Sequence, residues 1–364
     1  MSEEFEEIRE LVAHESLAAR GSSIVVRRRR NPRRPASVWS TQSLIGDTVG
    51  TAFSIVLSTV GCSYARSTSG GCTMCSYLLD GTGGDVSSEN LVAQFRNAMS
   101  KTEGIEAPLS IKVYTSGSFL DDTEVSSDAR REILRIIATD QRVQHVVLES
   151  RPEYATEPKM REIRDILGER DVELGMGLES SNDRVRLVCV NKGFTREEFR
   201  LAVELAKQHG IGTRAYVLIK PPFLSEGDAL ADAVNTIIDA ANMGATTVSV
   251  NPVNVQRHTL VERLWDANAY RPPWLWTVVE VLTRGRRKIP KDVLLVCDPV
   301  AAGKKRGAHN CGLCDSTVTQ AIRRFSLTQD PESLANLDCS CRSLWLHALK
   351  HEALVPVVHD YHLD

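Results

Sequence analysis

From residue 52 onward, short apolar runs rich in β-branched residues alternate with longer stretches in which apolar residues recur at helical spacing. The runs are AFSIVLSTV (from Ala52), LSIKVYTS (from Leu109), QHVVLES (from Gln144), VELGMGLE (from Val172), TRAYVLIK (from Thr213) and TTVSVNP (from Thr246). They are continuous rather than strictly alternating, as strands covered on both faces are. Between them, SSENLVAQFRNAMSK carries a stripe of Leu91, Phe95 and Met99, and DARREILRIIAT one of Ile133, Ile136 and Ile137. TREEFRLAVELAKQHGIG opens on a capping box, Thr195 with Glu198, and stops at Gly210; EGDALADAVNTIIDAANMG stops at Gly244. Six strand–helix alternations predict an α/β fold with a parallel sheet and crossover helices. Polar residues recur where successive strands end: Thr115/Ser116, Glu149/Arg151, Glu179/Ser180, Lys220 and Asn251/Asn254. That recurrence favours a barrel or partial barrel, which places its site at this end, over a doubly wound open sheet. The rhythm fails near Arg271. The expected organisation is a basic N-terminal extension over residues 1–50, a barrel over 51–270 and a cysteine-containing C-terminal extension over 271–364.

A chain of 364 residues, 42% hydrophobic and 25% charged, buries a sizeable core. The net charge of −3 announces no polyanionic partner globally. Locally, VVRRRRNPRR holds Arg27, Arg28, Arg29, Arg30, Arg33 and Arg34, with smaller basic clusters at RGRRK (from Arg284) and KKR (from Lys304). Such runs either contact phosphates or form solvated faces. The opening MSEEFEEIRELVAHES is acidic and amphipathic, unlike a secretory signal, and no apolar run reaches the roughly 18 residues of a membrane span. A cytoplasmic protein with no membrane partner is expected. Its nine cysteines then point to metal or chemistry rather than disulfides.

Three of them, Cys62, Cys72 and Cys75, stand in LSTVGCSYARSTSGGCTMCSY at C-x9-C-x2-C spacing, directly after the first apolar run. A catalytic zinc takes three protein ligands, and a cubane iron–sulfur cluster normally takes four thiolates. Three thiolates on a cubane leave one iron open to a small molecule, which suits a glycine-containing loop at the catalytic end of a barrel. Buried thiols without a cofactor, or part of a zinc knuckle, are the alternatives. A second group, Cys311 and Cys314 in HNCGLC with Cys339 and Cys341 in DCSC, has the paired spacing of a structural zinc site. A second cluster or no metal are its rivals, and His309 is a spare ligand. Cys189 and Cys297 lie in apolar contexts and read as core thiols.

The three-cysteine loop resembles that of the radical S-adenosylmethionine (SAM) superfamily, in the branch with a long first spacer that includes the Elongator catalytic subunit. That resemblance implies a partial (β/α)6 TIM-like barrel of radical SAM type and a 4Fe–4S cluster on Cys62, Cys72 and Cys75, with SAM chelated to the open iron and cleaved to a 5′-deoxyadenosyl radical. It also implies SAM contacts from Ser116, Gly117 and Ser118 in VYTSGSFLDD, from Glu149, Arg151 and Glu153 in LESRPEY, and from Glu179, Ser181 and Asn182 in GLESSNDRVR. The wider set NKGFTREEF, YVLIKPPFLSE, NPVNVQRHTLVERLW, YRPPWLWTVVEVL and CDPVAAGKKRGAHNCGLCD is similar to the archaeosine-biosynthesis radical SAM enzymes over roughly residues 25–345. The departure from the commoner C-x3-C-x2-C loop suits this narrower family.

The narrower resemblance implies a lyase-type tRNA modification enzyme. It would convert a lysine-bearing 7-deazaguanine at tRNA position 15 to archaeosine by radical C–N cleavage, with an external electron donor and a partner subunit that attaches the lysine. Lys220, Asn251, Asn254 and Gln256 are then candidates for substrate contact, Lys220 having a catalytic role or a structural ion pair as its two readings. Arg27, Arg28, Arg29 and Arg30 are candidates for tRNA contact. Trp274 and Trp276 either stack on bases or pack in the core. Two other functions remain open: an Elongator-like wobble-uridine enzyme, for whose acetyltransferase domain the length leaves little room, and a zinc-stapled nucleic-acid-binding protein without catalysis.

Overall fold

The computed structural model of the protein describes residues 3–21 and 31–352. A helix, α1 (Glu3–Arg20), precedes a hairpin of β1 (Ser37–Ile45) and β2 (Thr48–Val56). A one-turn helix α2 (Ser63–Arg66) and then α3 (Ser88–Met99) lead to β3 (Leu109–Tyr114). The alternation continues with α4 (Ser127–Thr139), β4 (Val143–Ser150), α5 (Glu157–Leu167), β5 (Asp171–Glu179), α6 (Arg196–Gln208), β6 (Gly212–Ile219), α7 (Glu226–Asn242) and β7 (Thr247–Pro252). It ends with α8 (Leu260–Asp266), α9 (Leu275–Arg286), β8 (Leu294–Cys297), α10 (Asp315–Thr328) and α11 (Arg342–His351). The eight strands lie side by side in chain order, with β1 antiparallel to β2 and every later pair parallel. A doubly wound sheet would reverse direction at a switch point. Sequential order without reversal, and with no pairing of β8 to β1, is an open half-barrel.

Local sequence explains the elements. Ser87, Ser126 and Ser225 accept hydrogen bonds from the first-turn amides of α3, α4 and α7, and the Thr195–Glu198 capping box forms at α6. Leu91, Phe95, Ile133 and Ile137 are fully buried where their helices meet the outward face of the sheet. Burying each such side chain contributes about 1.5–3 kcal/mol.

Two strands extend the sheet beyond the expected six. β1, SVWSTQSLI, is polar and largely exposed, so its apolar signal is weak; β8, LLVC, is four residues long. The core runs from Phe53 in β2 to Trp345 in α11, so the edges of the sheet coincide with neither residue 50 nor residue 271. No described helix is long and apolar enough to cross a membrane.

The inward face of the sheet differs from the outward one. Outward positions such as Ile111, Leu148, Leu174, Val217 and Val250 are buried under helices. Inward positions in the upper half of the strands stay partly accessible: Lys112 and Tyr114 on β3, Glu149 on β4, Gly177 on β5, Tyr216 on β6, Ser249 and Asn251 on β7. Side chains therefore do not fill this lumen. Below it the barrel is sealed by a buried polar layer. Ser110 Oγ meets His145 Nδ1 at 2.7 Å, and Glu173 lies between His145 Nε2 at 3.3 Å and Arg214 Nη2 at 2.8 Å. Burial alone would raise the Glu173 carboxyl, but Arg214 and His145 hold it well below the usual carboxylate range.

Candidate active site and metal centre

The loop after β2 carries Cys62, Cys72 and Cys75, all partly accessible, above the open end of the lumen. Cys62 begins α2, where its carbonyl accepts from the Arg66 amide at 3.0 Å. The nine-residue spacer is this turn of helix followed by a bend through Gly70 and Gly71, both at positive φ. At Gly70 a Cβ would fall 2.5 Å from the Leu17 backbone nitrogen of α1, so only glycine lets the helix and loop touch.

The spacer is pinned from several sides. Arg20, buried at the end of α1, reaches the carbonyls of Gly70 and Cys72. Asn191 donates to the carbonyls of Ser69 at 2.7 Å and Gly71 at 2.9 Å. The Thr73 amide donates to the Val190 carbonyl at 3.0 Å, and the Thr73 carbonyl accepts from the Val261 amide of α8 at 3.1 Å. Gln256 Oε1 accepts from the Ser76 amide at 2.8 Å.

Burial pushes the Cys62 thiol up to about 11, helped by Glu124, and the Cys75 thiol up to about 12, helped by Cys72. Ligation there displaces protons. The other six cysteines lie elsewhere: Cys189 and Cys297 are buried in the cores, and four sit in the C-terminal group.

The segment after β3 lies against this loop. At Gly117 a Cβ would stand 2.7 Å from Cys62 Cα and 2.3 Å from Glu124 Oε1, so the backbone forms a cradle that any side chain would fill. Ser116 Oγ is buried with no hydrogen-bond partner, as expected of a group that meets a bound molecule. The Arg151 guanidinium lies 4.4 Å above the Tyr64 ring, beside Cys62 and Cys72. Glu179, at φ +62, pairs with Lys192 Nζ at 2.7 Å. Glu149 completes the group. The donor set of three thiols, an orphaned hydroxyl and a backbone cradle fits a thiolate-held cluster with a small molecule beside it.

Burial pushes Glu149 up to about 8, which Lys192 only partly offsets. The folded protein keeps there a proton that the unfolded chain releases near pH 4.5. This contribution to stability is full below pH 4.5 and is lost as pH rises to about 8. Urea midpoints at pH 5 and 8 should therefore converge in Glu149→Gln relative to the unsubstituted chain. Parallel pH dependence of the two proteins would show that Glu149 is ionised in the fold.

The other expected site residues have partners of their own or stand apart from the thiol loop. Ser118 is spent inside its loop, its amide on Glu124 and its hydroxyl on Ser150 at 2.8 Å. The Ser181 amide donates to Thr236 of α7 at 2.9 Å, and Asn182 Oδ1 accepts from the Arg184 amide at 3.0 Å. Gln256 holds the cysteine loop. Asn251 stays partly accessible on the lumen face, its amide bonded to the Ser249 carbonyl at 3.0 Å, and Asn254 is partly accessible beyond β7. Arg27, Arg28, Arg29 and Arg30 lie outside the described residues. Trp276 is buried, in line with core packing, and Arg271 covers the Trp274 ring at 4.1 Å.

Lys220 occupies the position of the ion-pair reading. Its buried ammonium lies 2.7 Å from Glu226 Oε2 and 2.7 Å from Glu352 Oε1, just past the end of α11. Lys220→Ala strands a fully buried carboxylate and should cost about 3–5 kcal/mol in urea denaturation. A catalytic Lys220 would instead leave stability intact and abolish turnover.

The second cysteine group gathers completely. Sγ separations are 4.0 Å for Cys311–Cys314 and 3.7 Å for both Cys311–Cys339 and Cys314–Cys341, and all four atoms lie within 4.8 Å of one another. A metal–sulfur distance of about 2.3 Å puts tetrahedral sulfurs about 3.8 Å apart, so the cage fits one ion. Cubane thiolates, each on a different iron, stand further apart. Trp276 Nε1 donates to Cys341 Sγ at 3.2 Å and Asn310 Nδ2 to Cys314 Sγ at 3.3 Å, contacts that favour thiolates. His309 is not in the group; its Nδ1 faces the Gly307 carbonyl.

Sequence reasoning missed four supports of the upper site. Glu124, pushed up to about 7 by burial beside Cys62, sits in DDTEVSS, which reads as plain polar loop. Asn191 and Lys192 sit in NKGF, a motif that carried resemblance but no assigned role. Arg20 ends a helix whose partner could not be read.

No family profile matches the chain. It is 42% identical over 318 residues to the archaeosine synthase subunit beta of Methanosarcina acetivorans, covering 87% of this chain and 90% of that one. It is 39% identical over 317 residues to the protein of the same name from Thermococcus kodakarensis, covering 87% and 97%. Among solved structures, the archaeal Elp3 of Methanocaldococcus infernus lacking its N-terminus superposes with a TM-score of 0.49 at 17% identity, over 64% of this chain and 59% of that one. On the extent and identity of the two sequence matches, the chain belongs to the archaeosine synthase subunit beta family.

Proposed function

We propose that the protein is a radical SAM enzyme of tRNA modification that forms archaeosine from a lysine-bearing 7-deazaguanine at tRNA position 15, working with the subunit that attaches the lysine. The observation that carries this reading is the trio Cys62, Cys72 and Cys75, without a fourth cysteine, set over an accessible polar lumen in a chain of this family. When bound, a 4Fe–4S cluster with SAM supplies one-electron cleavage of the sulfonium and hence a radical for hydrogen abstraction, the electron coming from an external donor. The chain supplies the rest. Cys62, Cys72 and Cys75 hold the iron, and Arg20, Asn191 and Gln256 fix the loop that presents them. Ser116 and the Gly117 backbone receive the methionyl end of SAM, with Arg151, Glu149 and Glu179 around it. The lumen below, closed by the Glu173 network, excludes bulk water from the reacting carbon. For C–N cleavage to balance, the carbon radical left by hydrogen abstraction would give up one electron to the oxidised cluster and take up one water, so that the lysine remnant would leave as an aldehyde and its nitrogen would stay on the base as the amidine. Cys311, Cys314, Cys339 and Cys341 hold one structural zinc.

The test is to incubate the anaerobically reconstituted protein with SAM, a reductant and lysine-modified tRNA, then to weigh the nucleosides. Archaeosine should replace the lysine-bearing nucleoside. Formation of 5′-deoxyadenosine with that nucleoside left intact would sink the reading.

A further inference from the structure

Trp39 stands on an otherwise serine-, threonine- and glutamine-rich strand that ends the sheet and is approached by α10, and its side chain is 44% exposed. An exposed indole offers a flat apolar face with one donor at its rim. Register places it. Trp39 lies opposite Ser54, and Ser54 opposite Lys112, so all three share the lumen face. The indole lies parallel to the Tyr114 ring, with centroids 6.1 Å apart and planes 2° from coincidence. The two rings thus form a flat aromatic step from the edge of the barrel to its interior. Lys112, two residues before Tyr114 on the same face of β3 and partly accessible, offers a polar partner further in. Immediately before β1 comes the arginine run, whose described members, Arg33 and Arg34, are exposed. The backbone beside them is tied to α3: Gln94 donates to the Pro32 carbonyl and Asn97 to that of Arg33, each at 2.8 Å. Four residues of chain separate Arg34 from Trp39, so their Cα atoms lie within about 18 Å of each other.

We propose that Trp39 is the stacking platform for a nucleobase turned out of the RNA, passing it over Tyr114 toward Lys112 while Arg33 and Arg34 hold the flanking phosphates. Every base has a π-face that an indole accepts, and an unstacked base needs hydrogen-bonding partners for its edge. Fixed cations beside an aromatic platform suit a polyanion better than an apolar protein surface. The inference rests on the tRNA reading above and deepens it by naming the contact that admits the base.

The experiment compares the reconstituted full chain with its Trp39→Ala and Trp39→Phe variants, using cluster content and thermal midpoint as fold controls. Binding of lysine-modified tRNA is read by fluorescence anisotropy, and KM by nucleoside analysis. Trp39→Ala should weaken tRNA binding and raise KM by about 5- to 150-fold, with Trp39→Phe recovering most of the loss. Its salt dependence should match that of the unsubstituted chain. Arg33→Ala should instead lower the slope of log affinity against log salt by about one. Binding and KM of Trp39→Ala within two-fold of the unsubstituted chain would overturn the proposal. So would a matching fall in cluster content and thermal midpoint, which would mark Trp39 as structural, or loss of a protein partner with tRNA affinity intact. Failure of the unsubstituted chain to bind the tRNA would overturn the underlying reading and this inference with it. That outcome is distinct because it needs no variant.

Discussion

Cys72→Ala is expected to purify without colour, with its iron falling from about four atoms per chain to near zero and SAM cleavage falling to background. Two thiolates cannot hold a cubane through a redox cycle, and no spare thiol is placed to substitute. Cys189, the nearest in sequence, is buried, and its thiol is pushed up by burial and Asp232 rather than by any loop cysteine. The loop cannot slide to recruit one, because hydrogen bonds from Arg20, Asn191 and the Val261 amide, and one from the Thr73 amide to the Val190 carbonyl, fix it along its length. Cys189→Ala is the matched control and should stay brown. Retention of iron and cleavage by Cys72→Ala would defeat the three-thiolate assignment.

The second large effect is expected at the C-terminal cage. Cys314→Ala should lose one equivalent of zinc and lower the thermal midpoint by roughly 5–10 °C, for a loss of order 5 kcal/mol in a chain of this size. The reason lies in what the cage holds. Cys341 begins α11, and the Trp345 indole of α11 donates to Thr277 at 2.8 Å. Gly227 leaves room for the Leu349 carbonyl, which a Cβ there would approach to 2.8 Å. Beyond α11, Glu352 reaches Lys220 at the end of β6. Releasing the metal frees the helix and breaks this chain of contacts, so limited proteolysis should begin near Arg342 before the barrel unfolds. Iron in a ratio of several atoms to the four thiols, or an unchanged midpoint, would contradict a single structural ion.

The parts of this molecule that were legible in the sequence are those whose physics is local. Parallel strands buried on both faces announce themselves as apolar runs, and all six such runs are strands. Thiol spacing is equally local. The Cys311–Cys314 and Cys339–Cys341 pairs each lie on one tight turn, and the fold needs only to bring the turns together. Lys220 shows the limit. A lysine at a strand end reads as a site residue, yet it is held by two carboxylates: Glu226, six positions on, reads as the ordinary acidic first turn of α7, and Glu352 stands 132 positions away. Only the fold shows that the near one is buried against the lysine and that the far one joins it. β1 escaped notice because an exposed edge strand has no need of an apolar face. Glu124 escaped because one carboxyl in a polar loop becomes distinctive only when Gly117 and Cys62 close over it.

The seating of α1 on the cysteine loop ties two distant stretches of chain to one task. Arg20 and the Gly70 contact clamp the backbone from outside, while Asn191 and Thr73 anchor it from within. The spacing of the three thiols is thus set jointly by the end of α1 and the stretch after β5, and loosening either would slacken the whole segment between Cys62 and Cys75.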